Sequence, residues 1–196
     1  DRISTMSIKT PKRVASENTF VSYEHFAKTY LLSAKLLLES KQSGIKRSAD
    51  EQWRIDSGLI YIPIIYLIRH SIELILKSVG VGNSNRYLKT HNLEDLQKEL
   101  DSLGIDINTP LKARLLEVIN KYMTYKFSTD LLETLDLEND VFRFPDNSAK
   151  TRIKGEDLIK IKAEDLLNDV TFLASCCVQL SGIWQIQKQL RAEIRI

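Results

Sequence analysis

Between residues 59 and 79 the chain is apolar on nearly every side of a helix, yet it carries four charged or titratable groups. Ile64, Ile65, Leu67, Ile68, Ile72, Leu74, Ile75 and Leu76 leave little circumference for water. A helix that is apolar almost all round is usually central in its fold. Arg69, His70, Glu73 and Lys77 share that helix. His70, Glu73 and Lys77 are spaced three then four, which sets them on one face, and Glu73 is within reach of Arg69 or Lys77. On a solvated face such a pair contributes a few tenths of a kcal/mol. On a central helix the same groups must find partners, because an unpaired buried charge is costly. They then face a cleft, a dimer partner or a fixed hydrogen-bond network. Pro63 is tolerable only in a first turn, so the regular helix starts near Tyr61. Gly80 and Gly82 predict that it ends after Val79.

The rest of the chain is read around this helix. Only 7 Gly and 4 Pro in 196 residues leave few turns, and 43% of the residues are apolar. Long helices around a sizeable core follow more naturally from this than a many-stranded sheet. The expected fold is all-α, an up-down bundle of about five main helices. Residues 1–18 are polar and basic and are expected to be a flexible lead-in, with the helical domain over 19–196. A first helix is expected over 20–42, with Phe26, Tyr30, Leu31, Ala34, Leu37 and Leu38 as its buried stripe. A polar loop follows, with a short helical piece around Trp53. Thr90 or Asn92 is placed to cap a helix over 93–103, which Gly104 stops. A further helix is expected from Pro110 to Lys126, buried through Leu111, Leu115, Val118, Ile119 and Tyr122. Residues 128–137 read as another short helix. The alternation in 141–145 and 158–161 predicts a small β-hairpin within 141–161. A last long helix over 163–191 presents Leu166, Val170, Leu173, Cys177, Leu180, Ile183 or Trp184, and Gln187.

Composition and motifs exclude several kinds of chemistry. Net charge is +2, which is mild for a dedicated duplex binder. No apolar run approaches the roughly 18–20 residues of a membrane span, and no signal-peptide pattern opens the chain. Cys176 and Cys177 are adjacent, so on a helix they point about 100° apart and suit neither a disulfide framework nor a metal pair. They read as small buried residues of a cytoplasmic protein. Three scattered His make no zinc pattern, and there is no P-loop and no GxGxxG. Gly80-Val81-Gly82 reads as a helix stop, and the chain lacks the Gly-Ser loop with paired Asp of a nucleotidyltransferase. The expectation is a protein with no cofactor, no metal and no membrane partner.

One constellation remains. Thr90-His91-Asn92-Leu93 and Leu96 follow the polar helix after a short glycine-bearing loop. An apolar helix with Glu73 and Lys77 four apart, a short loop, then His91-Asn92-Leu93 with Leu96 three further on, resembles the HEPN (higher eukaryotes and prokaryotes nucleotide-binding) superfamily. Phe142-Arg143-Phe144-Pro145-Asp146 resembles the Arg-Tyr-Pro element that comes later in many members. The resemblance covers most of the chain, roughly residues 20–190.

The resemblance implies an up-down helical bundle that dimerises. Many members are metal-independent ribonucleases of toxin–antitoxin, abortive-infection and CRISPR-linked systems. Others accompany a small nucleotidyltransferase or serve only as binding and dimerisation modules. The ribonuclease members carry an Arg, four to six residues, then a His. The Arg stabilises phosphate charge, and the His activates the ribose 2′-OH or protonates the leaving oxygen. Arg86-Tyr87-Leu88-Lys89-Thr90-His91 is the one match to that spacing. It departs from the usual pattern in having Tyr87 after the Arg and in preceding its helix. Arg86 and His91 are therefore the catalytic candidates, and Arg69, His70, Glu73, Lys77 and Arg143 the binding or structural network. Two functions follow: a homodimeric, RNA-cleaving effector of bacterial defence or stress with an antitoxin partner, or a catalytically silent module that binds a nucleotide, nucleic acid or partner such as a nucleotidyltransferase.

Overall fold

The computed structural model describes residues 17–42, 60–84, 88–102, 109–124 and 161–194. Those residues form an all-α helical bundle. Its helices are α1 (Glu17–Gln42), α2 (Tyr61–Ser84), α3 (Leu93–Ser102), α4 (Thr109–Thr124) and α5 (Ala163–Ile194). There is no strand among the described residues. The lead-in before Glu17, the piece around Trp53, the helix expected over 128–137 and the hairpin lie outside them, apart from Ile161, which is buried.

α2 is the central element and touches each of the other four helices. Its most extensive partner is α1, which runs antiparallel to it. Lys41 at the end of α1 lies over the Tyr61 ring at the start of α2, 3.4 Å from its centroid. Further along, Tyr30 of α1 meets His70 of α2. Ile64, Ile65, Ile68, Ile72 and Ile75 of α2 are buried against Leu31 and Leu38 of α1, Leu115 and Ile119 of α4, and Leu166 and Leu173 of α5 in one cluster. At about 1.5–3 kcal/mol for each such side chain removed from water, this cluster is the main stabilising term of the fold.

α1 differs from the expected stripe at one end. Phe26 is 52% exposed, and the buried row is Ala27, Leu31, Ala34 and Leu38. These four recur at spacings of four, three and four, and Phe26 precedes the row by one residue, which turns it about 100° away.

α2 also outlasts its expected end, running through Gly80 and Gly82 to Ser84. Gly80 serves a close approach there. A Cβ built on Gly80 would lie 2.5 Å from Leu88 Cδ1, in the segment that returns along the helix. Gly80 admits a neighbour here; it does not release the chain. No helix among the described residues is long and apolar enough to cross a membrane.

Candidate functional site

Burial on α2 creates the site. Arg69, Ser71, Glu73, Lys77 and Ser78 are all buried there, and Asp169 of α5 completes the buried polar residues among those described. The two serines are satisfied within the helix: Ser71 Oγ donates to the Leu67 carbonyl at 2.7 Å, and Ser78 Oγ to that of Ile75 at 2.7 Å. Glu73, only 2% exposed, gathers Lys77 and two histidines. Its Oε1 accepts from Lys77 Nζ at 2.8 Å and lies 2.9 Å from His91 Nδ1. Its Oε2 lies 3.5 Å from His70 Nδ1. Burial pushes the Glu73 carboxyl up, but the hydrogen bonds from His70 and Lys77, and then their charges, outweigh it and hold it at about 2. Glu73 is therefore an anion at any neutral pH.

His91 reaches Glu73 along an extended strap. Residues 88–92 form neither helix nor strand. Leu88 rests on Gly80 and His91 on Glu73, seven residues back along α2. Seven helical residues rise about 10 Å, and three extended residues span about the same. The strap therefore runs alongside α2 and antiparallel to it. It ends at a cap: Asn92 Oδ1 accepts from the backbone N–H of Glu94 at 2.9 Å and of Asp95 at 3.2 Å, and Thr90 Oγ1 accepts from the Asn92 N–H at 3.1 Å. Asn92 is thus the cap of α3, and Thr90 braces it.

His91 remains 63% exposed while Nδ1 is fixed on a buried carboxylate. This is the arrangement that orients an imidazole as a base. With Nδ1–H donating to Glu73, the lone pair belongs to Nε2. His70 is held differently. Its ring stacks on Tyr66, with centroids 5.8 Å apart and planes at 9°, and meets Tyr30 edge-on at 5.0 Å.

The structure thus brings His70, Glu73, Lys77 and His91 together. Arg69 is fully buried on the same helix. Arg86 and Arg143 lie outside the described residues. Among the described residues no group of three His, Cys, Asp or Glu is arranged to hold a metal ion. The Lys77 ammonium already occupies the oxygen that His91 approaches.

Sequence reasoning missed a second polar centre. Asp169, 2% exposed on α5, faces three residues of α4. Lys121 Nζ donates to its Oδ2 at 2.6 Å and the Tyr122 hydroxyl to the same oxygen at 3.2 Å, while Arg114 Nη2 lies 3.5 Å from Oδ1. Burial, and then the Asp169 charge, push the Tyr122 phenol well above its ordinary value, so it stays a donor. The signal was present: Asp169 interrupts the apolar row Leu166, Val170, Leu173. Arg114 also pairs with Glu117, so the charges balance locally and the cluster reads as a pin between α4 and α5. Cys176 and Cys177 are buried free thiols, as expected, and burial first of all pushes both up to about 12. Ile183, Trp184 and Gln187 have side chains outside the described set. Comparison of the chain with protein-family models, curated proteins and solved structures returned no match.

Proposed function

We propose that this chain is a HEPN-like domain that cleaves RNA without a metal ion, acting as a homodimeric effector of a bacterial defence or stress system. The observation that carries the reading is His91, an exposed imidazole whose Nδ1 sits 2.9 Å from a buried carboxylate. Nε2 is then the basic nitrogen, available to take the proton of a ribose 2′-OH. The freed oxygen attacks the adjacent phosphorus and the 5′-oxygen departs, leaving a 2′,3′-cyclic phosphate and a 5′-hydroxyl. Every atom of that step comes from the RNA and the protein. Arg86, at the Arg-x4-His spacing, is assigned to the phosphate charge.

The test is cleavage of a mixed RNA substrate in excess EDTA. His91→Ala and Arg86→Ala should each abolish it, with circular dichroism melting curves that still report a folded protein. Undiminished cleavage by both variants would remove these residues from the mechanism.

A second reading is favoured by one further observation. Leu32 and Leu36 on α1, and Val178 and Ile186 on α5, are large apolar side chains left exposed. In a catalytically silent module they would meet a second copy or a partner such as a nucleotidyltransferase. That reading predicts no turnover by the wild type, and loss of the assembly in sedimentation when Leu32 and Leu36 are changed to Ser.

A further inference from the structure

Glu73 holds two imidazoles, one on each oxygen, and their surroundings differ. Oε1 carries both His91 and the Lys77 ammonium, so the lysine already neutralises the oxygen that His91 faces. Oε2 faces His70 without that competitor. His70 also lies against the Tyr66 ring, in stacking range, where the π face attracts a cation. Of the two rings, His91 therefore shares its carboxylate oxygen with a cation, and His70 lies on the other oxygen and against an aromatic face. An acid–base pair needs one ring that enters the step carrying a proton and one that enters it neutral. A quarter of the His70 side chain (24%) reaches solvent.

We infer that His70 is the general acid that protonates the leaving 5′-oxygen, paired across Glu73 with His91 as the general base. The assignment rests on the ribonuclease reading. In the step, His91 Nε2 takes the 2′-OH proton, the 2′-oxygen–phosphorus bond forms, the phosphorus–5′-oxygen bond breaks, and the 5′-oxygen takes the proton from His70. The pair finishes with its proton on the opposite ring and is reset by exchange with water. Tyr30, Tyr66 and Lys77 are positioning residues in this scheme: the tyrosines hold the His70 ring and Lys77 biases the carboxylate.

The experiment compares two RNA substrates that differ in one atom, the bridging 5′-oxygen or a 5′-sulfur. A thiolate leaves without needing a proton. On the oxygen substrate, His70→Gln should lose roughly 100-fold or more in single-turnover rate, the range of a lost acid–base catalyst. On the sulfur substrate it should return to within about tenfold of wild type. His91→Gln should fail on both. The ratio of the two rates is unaffected by any loss of folded protein, so a partly unfolded variant still reports. Equal loss on both substrates, or no loss on the oxygen substrate, would overturn the acid assignment while leaving the ribonuclease reading intact. Wild-type protein that cleaves neither substrate would overturn the ribonuclease reading itself, and this assignment with it.

Discussion

The Glu73 carboxylate ties the stability of the bundle to pH in a way that one substitution isolates. Its carboxyl is lowered from 4.5 to about 2 because His70 and Lys77 stabilise the anion more than burial opposes it. Stability from a lowered carboxyl is fully present above the unfolded value and is lost as pH falls toward the folded one. The window therefore runs from about pH 5 down to pH 2. At 1.36 kcal/mol per pKa unit the whole effect is about 3 kcal/mol, and roughly 2 kcal/mol of it is gone by pH 3. Against a total stability on the order of 5–15 kcal/mol this is readily measured. Other carboxylates also titrate in this range, so the useful quantity is a difference. Glu73→Gln keeps the shape and removes the charge, leaving Lys77 buried without its partner, and should cost about 3 kcal/mol at pH 7. At pH 3 the wild-type carboxyl approaches the same neutral condition, and the gap should shrink to about 1 kcal/mol. Urea denaturation followed by circular dichroism at pH 7, 5, 4 and 3 gives both curves. A gap that stays constant from pH 7 to pH 3 would refute the charge argument and leave only a packing effect at this position.

Asp169→Asn should destabilise the bundle by about 2 kcal/mol in the same assay, since Lys121 and Tyr122 both donate to the lost charge. Tyr122→Phe removes one donor and should cost about 1 kcal/mol; no change in either variant would show that α4 and α5 are not pinned there. Cys176 and Cys177, buried and pushed up to about 12, should react with a thiol-specific disulfide reagent at pH 8 only as fast as the protein opens. In guanidinium both should react at once, and fast labelling of the native protein would contradict their burial.

The architecture was largely legible because it rests on short-range rules. The apolar circumference of α2 announces a central helix, the spacing in α4 gives its buried face, and Asn92 sits where a cap belongs. The site was legible only in part. The spacing of His70, Glu73 and Lys77 places them on one face, but His91 joins them from eighteen residues further on, through a strap whose course no local pattern specifies. The Asp169 centre requires knowing how α4 docks on α5. Phe26 was misplaced because a stripe read as six apolar residues is resolved, by one residue of helical phase, into a buried row and an outward ring.

Gly80 has a consequence beyond letting α2 continue. It stands on the same helical face as Glu73 and Lys77, directly under Leu88. The missing side chain leaves room for the tip of Leu88 against the helix. A larger residue at 80 would first displace the Leu88 side chain, three residues before the histidine that meets Glu73. A position with no chemistry of its own thus seats the strap that carries His91, and a search confined to reactive side chains would pass over it.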